Sequence, residues 1–206
     1  MDFFLKQILV GSMLGDGHLA KSNRKGESQL YLKYDDKSYS YLKWLYDKFS
    51  SMGLNEIKER SKGGYHQHYF RSKPNKEFGK FREKFYPEGT KIVPEDIAKL
   101  LTHPIAVSVW YMDDGSLDFR AKYHTNSTFS TFCFSFRECE LLVKTLKDNF
   151  KIEARVHRST MRGKERYRLY IVSEYMERFI KIIEPYLQPC FMYKIPIYRL
   201  ERQQPR

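Results

Sequence analysis

The sequence predicts an α+β protein built from two similar halves, and three observations carry that prediction. An apolar, helix-like segment ending in Asp-Gly occurs twice, as LVGSMLGDGHL (Leu9–Leu19) and as VSVWYMDDGSL (Val107–Leu117). The same order follows each copy: short basic strand-like runs, a longer helix, a basic hairpin and more helix. Each half then closes on a lysine just before a proline, KIVP at Lys91 and KIP at Lys194, so that the spans Asp16–Lys91 and Asp114–Lys194 are nearly equal. Strands joined by hairpins rather than βαβ crossovers belong to the α+β class. The halves divide as 1–100 and 101–206.

In the first half the spacing predicts a helix over Phe3–Leu14, then strands at His18–Arg24 and Ser28–Tyr34. A helix fits Lys37–Met52, where Tyr41, Leu45, Lys48 and Phe49 recur at helical intervals. IKERSKGGYHQHYFRS reads as a hairpin turning at Gly63-Gly64, and NKEFGKFREKF as a helix. In the second half Pro104 suits a first helical turn. Strands are expected near Leu117–Tyr123 and over Thr128–Phe136, where Phe132, Phe134 and Phe136 alternate with Thr131, Cys133 and Ser135. RECELLVKTLKDNF is an amphipathic helix. KIEARVHRSTMRGKERYRLYIVS is a hairpin turning near Gly163, and a helix fits Glu174–Pro185.

Composition sets the class. With 206 residues, 41% hydrophobic and 30% charged, the chain has the makeup of a packed globular protein. No apolar run reaches membrane-spanning length. The first residues, MDFFLKQILVGSMLGDG, lack the basic start and small-residue cleavage site of a signal peptide. Cys133, Cys139 and Cys190 have neither paired nor zinc-like spacing, and the chain is expected to be intracellular. The net charge of +12 points to a polyanionic partner.

Two helices that each end in an acid pose an electrostatic problem, because helix C-termini already carry partial negative charge. Gly11 and Gly15 share one helix face and let a second helix approach closely; Ser108 is expected to play a similar part in the second copy. If the two motif helices pack in parallel, Asp16 and Asp114 meet near a pseudo-twofold axis. Two carboxylates at one point call for a cation, and hard oxygen ligands specify Mg²⁺, with Mn²⁺ as a substitute. Such a metal can activate water and stabilise the leaving oxygen of a phosphodiester.

LVGSMLGDG and VSVWYMDDG resemble the two copies of the motif that names the LAGLIDADG homing endonucleases. PIAVSVWYMDDGS and MYKIP are similar to the single-chain, two-motif, intron-encoded members. The resemblance implies a pseudo-dimer of two αββαββα halves, with the motif helices at the interface and two antiparallel sheets forming a DNA-binding saddle. It implies that Asp16 and Asp114 bind the metals, that the carbonyls of Gly15 and Asp113 add contacts, and that Lys91 and Lys194 act at the active centre. The second motif departs from the first, with Val109 in place of Gly11 and Asp113 in place of Gly15. Either acid of MDDG is then a candidate ligand; alignment on the final glycine favours Asp114.

The strands supply the expected nucleic-acid contacts. Ile152, Ala154 and Val156 alternate with Arg155 and His157, and Tyr167, Leu169 and Ile171 alternate with Arg166, Arg168 and Tyr170. A sheet with one apolar and one basic face is suited to the major groove. Lys21, Lys33, Arg60, Lys62, Gln67 and Arg71 in the first half, and Arg120 and Lys122 in the second, complete the set. His66 and His68 share a strand face and are candidates for DNA contact; the six histidines are expected to form no zinc-like cluster. The expected activity is Mg²⁺-dependent, site-specific cleavage of double-stranded DNA at a long asymmetric site, with staggered cuts, 3′ overhangs and a role in intron mobility. The chain is expected to act as a monomer, in an organelle or a prokaryotic cytoplasm. The alternatives are a maturase with intron RNA as partner and a non-cleaving DNA-binding protein.

Overall fold

The computed structural model describes residues 1–120, 124–161 and 163–196. The first half runs α1 (Phe3–Leu14), β1 (His18–Lys21), β2 (Ser28–Asp35), α2 (Tyr39–Phe49), β3 (Lys58–Lys62), β4 (Tyr65–Arg71), α3 (Lys76–Phe85) and the short α4 (Ile97–Leu100). The second runs α5 (Pro104–Asp114), β5 (Gly115–Arg120), β6 (His124–Phe129), α6 (Phe136–Phe150), β7 (Ala154–Met161), β8 (Lys164–Ile171) and α7 (Met176–Ile183). Each half contributes one antiparallel four-stranded sheet, ordered β1-β2-β4-β3 and β5-β6-β8-β7. The doubled αββαββα arrangement is therefore present.

Local chemistry explains the element ends. Asp2 caps α1 by accepting from the Leu5 amide at 2.9 Å, and Asn75 caps α3 by accepting from the Glu77 amide at 2.8 Å. Gly63 and Gly64 both take positive φ, 59° and 81°, as a two-residue turn between twisted strands requires. Both motif helices are apolar on every side. In α1 Leu5 and Gln7 to Leu14 are all buried, and in α5 Ile105 to Met112 are all buried. A helix of that kind belongs at the centre of a core rather than on its surface.

One expected strand is not there. Thr128–Phe136 is divided: β6 stops at Phe129, and Phe136 starts α6. Ser135 and Glu138 form a capping box in which the Ser135 hydroxyl accepts from the Glu138 amide at 3.4 Å and the Ser135 amide donates to the Glu138 carboxylate at 2.7 Å. The Ser-x-x-Glu start signal outweighs the period-two alternation of the three phenylalanines.

The halves exchange their closing segments. Asn149 of α6 donates to the carbonyls of Ala98 and Leu101 at 2.8 and 2.7 Å, so α4 lies on the second half. Phe191, in the closing turn Pro189–Lys194, packs edge-on against Tyr41 of α2 with centroids 5.1 Å apart. The buried Gln7 ties the connector to α1. Its amide nitrogen donates to the Leu100 carbonyl at 2.8 Å, and its oxygen accepts from the amides of Thr102 and His103 at 3.1 and 3.0 Å.

Candidate active site

The centre is built by the close approach of α1 and α5. A methyl group added at Gly11 would lie 2.4 Å from the Ala106 carbonyl oxygen and 2.7 Å from Val109 Cβ. One added at Gly15 would lie 2.5 Å from Asp113 Cβ. The residues that touch across the axis are thus the motif equivalents of one another, glycine from α1 against the larger residue from α5. Contacts advance in step from Gln7 with His103, through Gly11 with Ala106 and Val109, to Asp16 with Asp113. The helices are therefore parallel and end together. Ser108 does not share the role of Gly11 and Gly15. It faces α7, where its hydroxyl donates to the carbonyls of Pro104 and Ile183 at 3.0 and 3.1 Å.

Asp16 and Asp114 are brought together at this point. Asp16 stays open to solvent and Asp114 is half-buried, in a recess crowded enough to cost both of them hydration. Burial pushes the Asp114 carboxyl up to about 7, and the facing Asp16 charge adds to the shift; Lys91 and Lys194 oppose it. Burial also raises Asp16, again against the pull of Lys91 and Lys194. Neither carboxylate accepts a hydrogen bond from a described residue. Two hard oxygen donors, desolvated and facing one another, fit a divalent cation.

Neither motif helix has a basic residue in its last turn. The two closing lysines supply that charge from far away in sequence. Lys91 Nζ donates to the Gly15 carbonyl at 2.7 Å. Lys194, 7% exposed, donates to the carbonyls of Met112 and Tyr111 at 2.6 and 3.1 Å. Burial lowers the pKa of both amines, with the acids of the centre resisting that shift.

Asp113 has a different environment. Its carboxylate accepts from the Tyr34 hydroxyl at 2.9 Å and from the Asp16 amide at 3.1 Å. Burial and the adjacent Asp16 charge hold its pKa well above the usual carboxylate range. Tyr34 is a site residue that the sequence reading missed; it lies on the core-facing alternation of β2, and only its hydroxyl reaches the centre. His18 was missed as well. It stands two residues after Asp16, donor or acceptor to the Tyr86 hydroxyl at 3.3 Å, and burial, with Lys91 second, lowers its pKa.

The strand register sorts the remaining candidates. Lys33, Gln67 and Arg71 lie on the face opposite Leu32 and Phe70, and Arg60, paired with Gln67, shares it. There Arg60 donates to the Gln67 side-chain oxygen at 3.2 Å. Arg155, His157, Arg166 and Arg168 share the corresponding face of the second sheet. Lys62 pairs with Tyr65, and Arg120 with His124; Lys122 lies outside the described residues. Lys21 lies apart from this set: it follows Leu19 in the alternation and pairs with the buried Ser28, on the helix side of its sheet. His66 and His68 share one strand face, as expected. They point with Phe70 to the helix side, away from Gln67.

The LAGLIDADG DNA endonuclease family model matches residues 6–179. Cytochrome b mRNA maturase bI2 from Saccharomyces cerevisiae is 27% identical over 93% of this chain, which spans 47% of that relative's length. The structure of the homing endonuclease I-WcaI bound to its DNA recognition sequence has the same fold, with a TM-score of 0.79 and 22% identity over 93% of this chain and 85% of that one. I-DmoI in complex with DNA and Mn aligns with a TM-score of 0.55 and 17% identity over 87% and 95% of the two chains. Among the described residues no helix is long and apolar enough to cross a membrane. With the doubled motif, the paired sheets and a family match along most of its length, this chain belongs to the LAGLIDADG DNA endonuclease family.

Proposed function

We propose that this chain is a site-specific, divalent-metal-dependent endonuclease for double-stranded DNA. The observation that carries the reading is the meeting of Asp16 and Asp114 at the adjacent ends of α1 and α5, flanked by Lys91 and Lys194. Asp16 and Asp114 would hold Mg²⁺ or Mn²⁺, with the carbonyls of Gly15 and Asp113 as further oxygens. When bound, the metal supplies charge neutralisation, water activation and stabilisation of the leaving oxygen. Lys91 and Lys194 hold positive charge beside the phosphodiester. Asp113, committed to Tyr34 and the Asp16 amide, fixes the end of α1 against α5.

Lys33, Arg60, Gln67 and Arg71 on one sheet, and Arg155, His157, Arg166 and Arg168 on the other, would contact phosphates and base edges. Because the two faces differ in residue type, they would read different half-sites, so the target is long and asymmetric. One chain supplies both halves and acts as a monomer. The resemblance of the motifs supports staggered cuts with 3′ overhangs and a role in intron mobility, in an organelle or a prokaryotic cytoplasm.

The test is cleavage of a randomised duplex library with Mg²⁺ by the wild type and by Asp114→Asn. Recovery of one long site cut by the wild type alone, with binding retained in the variant, is the expected result. Equal cutting by the variant would remove Asp114 from the chemistry. A second reading is favoured by the bI2 relative, whose name is that of an mRNA maturase: the basic faces would hold intron RNA. Splicing assistance that survives Asp114→Asn is the outcome that separates the two.

A further inference from the structure

Four side chains gather on the helix side of the first sheet, around the turn that follows β2. Asp35 accepts from the Ser38 amide at 3.1 Å and so shapes the turn that presents Asp36. Across the strands, His68 pairs with Glu59 and His66 with Ser61. One Asp36 oxygen lies 2.5 Å from His66 Nδ1 and 2.8 Å from His68 Nε2. The opposite ring nitrogens face Glu59: His66 Nε2 is 3.6 Å and His68 Nδ1 3.5 Å from its carboxylate. The imidazoles stand almost at right angles, 88°, with centroids 4.8 Å apart, and Tyr39 covers the His68 ring at 4.4 Å.

A neutral imidazole has one donor and one acceptor nitrogen. Here each ring has a carboxylate at both nitrogens, so each neutral ring turns a lone pair toward a carboxylate oxygen. His68 is 7% exposed, and its Nδ1 is buried without a hydrogen-bond partner. Protonating both rings would satisfy the carboxylates but set two imidazolium ions against one another. A cation between Asp36 and the rings resolves the conflict: lone pairs go to the metal, and both remaining N–H groups go to Glu59. That is the outer carboxylate arrangement common to metal-bound histidines.

We propose that Asp36 Oδ1, His66 Nδ1 and His68 Nε2 bind a zinc-class divalent cation, with Glu59 orienting both imidazoles from outside. The three donor atoms already lie within 4.8 Å of one another, and Asp36 is exposed enough to yield as the ion enters. Two imidazoles and one carboxylate suit Zn²⁺ and are a poor match for Mg²⁺, which prefers an oxygen shell. The site differs in chemistry from Asp16 and Asp114 and shares no residue with them. Its effect is to clip the β3–β4 hairpin, which carries Arg60 and Gln67 on its other face, to the corner between β2 and α2.

Titration of the full chain with cobalt(II) chloride, followed by visible absorption, tests this. One equivalent is expected to give the intense bands of low-coordinate Co²⁺, displaced by Zn²⁺ and unaffected by excess Mg²⁺. The bands should persist in Asp16→Asn/Asp114→Asn and vanish in Asp36→Asn and in His66→Gln, both solvent-accessible positions that spare the core. Glu59→Gln should weaken binding by about 10- to 100-fold. In the wild type alone, Zn²⁺ should slow amide exchange in the β3–β4 hairpin. No bands at one equivalent, or bands that survive both Asp36→Asn and His66→Gln, would overturn the proposal.

Discussion

The two motif helices do the same job with opposite materials. α1 brings Gly11 and Gly15 to the axis, and α5 brings Val109 and Asp113 to the same levels. Space conceded by one helix is filled by its equivalent in the other, so the contact is close without being symmetric. The closing lysines differ in the same way. Lys91 reaches one carbonyl, that of Gly15, whereas Lys194 is buried on two carbonyls further back in α5. A duplicated unit can therefore lose its internal symmetry residue by residue while keeping the acids opposed.

The largest expected effect comes from removing the conceded space. Gly11→Val would drive a side chain into backbone and should destabilise the chain by about 3 kcal/mol or more, read by chemical denaturation. Adding Val109→Gly should recover part of that loss. Full additivity of the two changes would break the complementarity account.

Cleavage sharpens the comparison between neighbouring acids. In the proposed metal-dependent reaction, Asp114→Asn and Asp16→Asn should each lower the cleavage rate by about 1000-fold or more, because both would remove a ligand of the metal that activates water and stabilises the leaving oxygen. Asp113→Asn, which keeps one of the two acceptor oxygens that serve Tyr34 and the Asp16 amide, should keep most of the activity. Loss of activity in Asp113→Asn equal to that in Asp114→Asn would move the metal ligand to Asp113.

The centre also predicts a pH dependence. The Asp114 carboxyl is raised to about 7 in the folded chain and titrates near 4 when unfolded. The folded state therefore binds the extra proton, and metal-free stability should fall as pH rises from about 4 to about 7, then level off. Asp114→Asn should flatten that slope and raise the metal-free melting temperature at neutral pH by about 3 °C. Mg²⁺ should flatten it in the wild type. A slope unchanged by Asp114→Asn would mean that the carboxyl is not desolvated.

The smallest effects concern the supports. Lys194→Met should cost about 2 kcal/mol and Lys91→Met about 1 kcal/mol, because the more deeply buried Lys194 donates two hydrogen bonds, to the Met112 carbonyl and to the Tyr111 carbonyl that the Gly115 amide also serves, where Lys91 donates one. Tyr34→Phe should cost about 1 kcal/mol. Equal costs for the two lysines in equilibrium unfolding would restore the symmetry denied here.

Much of this was legible in the chain. Phe3–Leu14 was bounded correctly because Asp2 starts it and Gly15 ends its apolar run. The Gly63-Gly64 and Gly163 turns were legible because twisted hairpins need positive φ. The alternation in Ala154–His157 gave the faces of β7 directly. Reading failed where two local signals competed, as at Ser135, and where position along a strand does not fix the face. Lys21 and the His66–His68 pair look like any other polar strand residues until the register turns them toward the helices.

The sequence by itself determined the doubled α+β plan, the two acids and the small residues that let their helices meet. These follow from periodicity and residue size, which are local properties. Only the tertiary structure decided that Asp113 bonds to Tyr34, that Lys91 and Lys194 neutralise helix ends far from them in the chain, and that Asp36 and Glu59 enclose two histidines. Each of those depends on distances between segments remote in sequence, and burial changes the charge state of a group only once such segments have packed around it.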